Sequence, residues 1–241
     1  MSRPPEFGET WVYESIVGAL PGIDLPKPVA IAIQFVVFEG ALLVLAWYYD
    51  LWDAAVAGTV AIAVAAVGSA EMLRIGSLAR RADAPAAYSR LLFGSSVEVV
   101  LAVLAYVALV THLFVFDPRT GAPSLVASLL GPEPPVLAVY LMLLVLWDVC
   151  YRIGTGWWAS VVGIWRSVRY AFDAPTRRTL ARADLETLAF GLVQLALVPF
   201  VLGRPVLLAA LLGHVLAVTA VTGLSLVVLR ARETGDDSAT T

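Results

Sequence analysis

The chain has 241 residues, of which 60% are hydrophobic and 15% charged, with a formal net charge of −3 and a mean hydropathy of +0.84. A soluble domain is ~45–50% apolar and ~25% charged, so this composition excludes an ordinary water-soluble fold and points to one multi-pass helical bundle. The basic residues are fifteen Arg and one Lys, and Asn is absent. No expected span therefore carries a lysine for Schiff-base chemistry, and no N-glycosylation sequon exists. The lone Cys150 excludes an intrachain disulfide and reads as a small buried hydrophobe.

The first 27 residues mix Glu6, Glu9, Glu14 and Asp24 with four prolines, so no cleavable signal is expected and the first span directs insertion itself. Between Thr10 and Leu20, Val12, Ile16 and Leu20 share one side at helical spacing, which predicts a short helix lying on the membrane surface. Residues 1–28 thus form a polar N-terminal segment. Span one follows at Val29–Tyr49 and ends in an aromatic belt of Trp47, Tyr48, Tyr49 and Trp52. A link of only a few residues, Asp50–Asp53, predicts an antiparallel hairpin with span two, Ala54–Leu73. Ala57, Ala61, Ala65 and Ser69 make a small-residue stripe along span two, suited to close helix approach, so that span is expected to be central.

Span three is expected at Leu91–Phe116, and the Pro- and Gly-rich connection Asp117–Pro135 carries one helical turn at Leu125–Leu130. Span four begins at Val136 and runs to about Trp158, continued by a basic amphipathic extension to Phe172. Asp173-Ala-Pro175 breaks it. Spans five and six are expected at Leu185–Leu202 and Val206–Leu229, so the transmembrane domain covers 29–229. The polar tail 230–241 is expected to lack regular structure.

Six spans place thirteen basic residues on one side and only Arg119 and Arg204 on the other. By the positive-inside rule both termini are then cytoplasmic. Arg80, Arg81, Arg166, Arg169, Arg177 and Arg178 form a cytoplasmic rim that favours anionic lipid head groups by roughly 1 kcal/mol each near the surface. A nucleic-acid partner is not expected, because a basic cytoplasmic face is general among membrane proteins.

Counting from the span ends puts Glu39, Asp148, Gln194 and His214 roughly 13–18 Å deep, near mid-bilayer, with Glu98 and Arg152 in the cytoplasmic half. Charges at a span centre cost ~2.5–3.5 kcal/mol on the insertion scale and commonly mark ion or proton pathways. Asp148 and Arg152, four residues apart, are expected to pair. Glu98 is the expected second partner of Arg152, and Glu39 is expected to be protonated or hydrogen-bonded to Gln194 or His214. Glu71 and Arg74 echo the Asp148–Arg152 pair, and Asp-Ala-Pro at 83–85 recurs at 173–175. Chance and a duplicated hairpin both remain open as its origin.

The chain contains none of the common hydrolase, zinc or phosphate-loop motifs. His112 and His214 differ in expected depth by roughly 9 Å, which works against shared haem ligation. Neither a cofactor nor a metal is expected, and an enzyme is less favoured than a transporter.

The run Glu6-Phe-Gly-Glu-Thr-Trp-Val-Tyr-Glu-Ser-Ile-Val-Gly-Ala-Leu-Pro-Gly-Ile-Asp24, with the Glu39 span and Met72-Leu-Arg-Ile-Gly76, resembles an uncharacterised family of small multi-pass membrane proteins from halophilic archaea. The resemblance covers about the first third of the chain and implies no activity. The near-absence of Lys and the acidic termini agree with it, whereas a net charge of −3 departs from the usual strong acidity.

The expected architecture is all-α: a polytopic transmembrane bundle of six spans, both termini cytoplasmic, in the cell membrane. The leading expectation for function is an ion- or proton-linked transporter or channel built on Glu39, Glu98, Asp148, Arg152, Gln194 and His214. Its rivals are a structural or assembly subunit whose polar groups only set helix packing, and a lipid-binding membrane protein. Expected partners are the bilayer, anionic head groups and, as one option, a second copy of the chain.

Overall fold

A computed structural model of the chain describes residues 10–11, 26–120 and 123–238, with side chains described as far as Arg232. Beyond Thr10 and Trp11, the surface helix expected at 10–20 lies outside the described residues. Trp11 itself is fully buried and meets the Phe93 ring edge-on at 4.9 Å.

Among the described residues every regular element is a helix. Helix α1, Lys27–Tyr49, starts at Pro26 and Pro28, where a missing N–H is harmless, and stops at Asp50 in the left-handed region (φ 55°). Helix α2, Trp52–Arg81, follows at once, giving the expected hairpin. It packs on α1 and on the fourth and fifth spans, in keeping with its small-residue stripe.

Span three differs from expectation, because it is broken. Helix α3, Ala86–Phe93, ends at Gly94, Ser96 sits at φ 53°, and α4, Val97–Thr111, begins anew. Gly94-Ser-Ser gives the backbone little reason to stay helical, and serine hydroxyls compete for backbone groups: Ser95 Oγ donates to Leu91 O at 2.8 Å. The far end widens into a π-helix at His112–Phe116 and tightens into a 3-10 turn at Asp117–Thr120. The expected turn in the next connection is present as α5, Leu125–Leu130, capped by Ser124 Oγ accepting from Ala127 N.

Helix α6, Val136–Arg169, is continuous through the expected extension. Val145, Val149, Arg152, Gly156, Ala159, Gly163 and Arg166 are all buried along it. Their alternating steps of four and three are those of a knobs-into-holes seam, so α6 is a central post packed by α1, α2, α4, α7 and α9. Helix α7, Ala174–Val193, begins eleven residues earlier than expected (185 − 174), capped by Asp173 accepting from Thr176 N. It tightens at Gln194–Leu197 before α8, Val198–Val201, since Pro199 cannot donate to Leu195. Helix α9, Pro205–Ser238, runs past Leu229 into the tail expected to lack structure. No proline interrupts that stretch, and Arg230, Arg232 and Glu233 are good helix formers.

Six helices are long and apolar enough to cross a membrane: Lys27–Tyr49, Trp52–Arg81, Ala86–Thr120, Val136–Arg169, Ala174–Val201 and Pro205–Arg232. Large apolar side chains such as Val36, Val44, Leu104, Val107, Leu216 and Val227 face outward. This exterior suits hydrocarbon rather than water.

Candidate functional site

Arg152 on α6 is fully buried and lies toward α2, where Gly68 leaves room for it: a Cβ there would come within 2.6 Å of Arg152 Cδ. Its guanidinium meets Asp148 Oδ1 at 2.9 Å and donates from Nε to Ala65 O at 2.6 Å. Gln34 of α1 donates to the other Asp148 oxygen at 3.1 Å. The expected pair is therefore present and joins three helices. A void of about 10 Å³ beside Gln34 and Asp148 holds at most about one water.

The other polar residues do not join it. Glu98 is fully buried on α4, and its carboxyl has no hydrogen-bond partner among the described residues. The expected Glu98–Arg152 pair is thus corrected: Arg152 pairs with Asp148 on its own helix and donates from Nε to Ala65 O of α2. Glu39 accepts from Thr59 Oγ1 at 2.7 Å instead of meeting Gln194 or His214, because α1 packs on α2 and α6. Gln194 is buried in the 3-10 turn, and its amide has no partner among the described residues. His214 lies on the far side of α6, its ring 6.3 Å from that of Trp157. The six residues expected to share one polar interior occupy five separate places.

The basic rim also needs one correction. Arg80, Arg81, Arg169 and Arg178 are exposed, and Arg177 is half-buried; Arg80 lies 5.4 Å from the Phe93 ring centroid. Arg166 is buried at 1% exposure. It donates to Asp184 Oδ1 at 2.7 Å, to Leu180 O at 3.0 Å and to Tyr88 Oη at 3.4 Å. Ser225 Oγ of α9 donates to Asp184 Oδ2 at 2.7 Å and shares a 2.8 Å bond with Ser167. One turn along, Thr222 donates to Ser160 at 3.1 Å. The seam that buries Arg152 continues for 14 further residues (166 − 152) and buries Arg166 by the same register.

A large apolar space lies elsewhere, toward the end of the bundle that carries Arg119 and Arg204. It is a cavity of about 580 Å³ walled by all six spans and by α5. Short side chains leave it unfilled: Ala54, Ala57, Gly58 and Ala61 on α2, Ala105 and Ala108 on α4, and Ala210 on α9. The rest of its wall is mainly Leu, Val, Phe and Ile, and its polar side chains are His112, Cys150 and His214. Arg204 pins α5 over one end, pairing with Asp117 at 3.1 Å and donating to Pro123 O at 2.6 Å and Ser128 Oγ at 3.2 Å. Sequence reasoning missed this cavity. The alanines of α2 were its signal, but they fit close helix contact equally well.

Six apolar spans, an outward hydrocarbon-like face and buried ion pairs define the chain as a multi-pass helical membrane protein. Residues 6–225 match a family of unknown function, DUF7530, and the chain belongs to it. No curated protein and no solved structure matches it.

Proposed function

We propose that this protein binds the hydrocarbon chain of a membrane lipid in the six-span cavity, in the cytoplasmic membrane with its arginine-rich end inside. The single observation that carries this reading is the size and chemistry of that cavity. The cavity holds about 580 Å³, is partly open to the outside, and has an almost wholly apolar wall. Its volume lies inside the ~300–1,000 Å³ of ordinary ligand sites, and the surrounding bilayer supplies chains at high concentration.

The polar groups support a packing role more than a conducting one. Asp148 and Arg152 are closed on each other with room for about one water, and Glu39, Glu98 and His214 are separated from them. A transport function therefore draws less support than lipid binding.

A lipid with a photoreactive diazirine midway along one acyl chain, incorporated with the protein into vesicles, tests the reading. Mass mapping should place labels on cavity residues such as Leu42, Leu109, Leu129 and Leu211. Labels confined to outward residues such as Val36, Val44 and Val227 would overturn it. A proton flux in proteoliposomes that Glu39→Gln abolishes would restore the transport reading.

A further inference from the structure

The cavity changes character at one place. Ala108, His112 and Val206 wall both the cavity and a more open depression beside it, which Thr111, Phe116, Arg119 and Thr120 complete. Polar and cationic side chains thus gather at the mouth of an apolar space. This is the profile of an amphiphile's site.

Three observations converge there. The backbone at His112–Phe116 is a π-helix, a rare form found mostly as a local widening and often at functional sites. Arg119 is exposed and makes no hydrogen bond or ion pair among the described residues. Arg204, the other basic residue at this end, is fully engaged with Asp117, Pro123 and Ser128. Asp117, two residues before Arg119, therefore spends its charge on Arg204 and leaves that of Arg119 available.

We infer that the bound lipid carries an anionic phosphate head group, held at this mouth by Arg119 with His112 and Thr111 while its chain fills the cavity. This rests on the chain-binding reading and adds the head-group chemistry. A guanidinium offers a phosphate a planar fork of donors. The imidazole N–H and the threonine hydroxyl supply shorter donors closer to the cavity.

Native mass spectrometry of the full chain, titrated with dioleoyl phosphatidylglycerol or with dioleoylglycerol, separates the two layers of the idea. Wild-type protein should hold the phosphatidylglycerol about tenfold more tightly. Arg119→Gln, at an exposed site, should bring that ratio close to one and leave dioleoylglycerol binding unchanged. Ala61→Phe, or Ala210→Phe if the first does not fold, should weaken both lipids. Excess glycerol 3-phosphate, a head group without a chain, should displace neither. An unchanged ratio in Arg119→Gln overturns the head-group assignment and leaves chain binding standing. Cavity-filling variants that bind both lipids normally overturn chain binding as well. Displacement by glycerol 3-phosphate makes this a site for a soluble phosphate and overturns the lipid assignment.

Discussion

Arg166 and Asp184 meet at 2.7 Å with both side chains buried, and the second oxygen of that carboxylate takes a 2.7 Å bond from Ser225. One ion pair thereby ties α6, α7 and α9 at the arginine-rich end, with Tyr88 of α3 against the guanidinium.

Removing one member leaves the other charged and buried. Asp184→Ala should cost about 3–5 kcal/mol, the usual penalty for an orphaned buried charge. The double change Arg166→Met with Asp184→Leu should recover most of it, since apolar replacements remove the desolvation cost along with the attraction. Thermal unfolding of the three variants in one detergent checks this. Equal losses in the single and double variants would show that the charges matter less than the packing around them.

The number of spans, the α1–α2 hairpin, the α5 turn and the Asp148–Arg152 pair were legible because each depends on local length, spacing or turn chemistry. The burial of Arg166 was misread for a physical reason. Its distance from the expected end of span four suggested the lipid head-group region, whereas the steps of four and three from Val145 through Arg152 and Ala159 already placed it on the buried seam. The partners of Glu39 and Glu98 were not legible, because depth in a bilayer does not say which helix faces which. The cavity was hidden for a similar reason: Ala57 and Ala61 read as sites of close approach, yet the same short side chains leave a space where helices diverge.

Gly154 and Gly156 lie two residues apart on α6 and should respond oppositely to alanine. A Cβ at Gly154 would come within 2.8 Å of Ala102 N and Glu98 O, both backbone atoms of α4 that cannot turn aside. Gly154→Ala should therefore destabilise by roughly 1–3 kcal/mol as the two helices are pushed apart. At Gly156 the nearest atom is 3.5 Å away on the Phe190 ring, an ordinary contact. There the higher helix propensity of alanine, worth up to about 1 kcal/mol, should make the variant neutral or slightly stabilised. Paired melting curves decide it.

Arg204 acts locally. Losing its bonds to Asp117, Pro123 and Ser128 frees α5 and the turn before it from α9, while the spans keep their packing. Arg204→Ala should speed amide exchange across residues 117–120 and 123–130 by at least tenfold, corresponding to about 1.4 kcal/mol of lost local protection. Exchange in α2 and α6 should stay unchanged. Uniform acceleration through all six spans would mean that Arg204 supports the whole bundle.

A cavity filled by lipid also makes stability depend on lipid concentration. A chain that binds the folded protein and not the unfolded one adds RT ln(1 + [L]/Kd), about 2.7 kcal/mol at one hundred times Kd. Delipidated wild-type protein should therefore melt progressively higher as dioleoylglycerol is added. Ala57→Leu places three more carbons in the same space. It should raise the melting temperature of the delipidated protein and shrink the lipid-dependent increment, because side chain and ligand compete for one volume. Additive effects of the substitution and the lipid would locate the bound chain outside the cavity, on the outward face formed by residues such as Val36 and Val44.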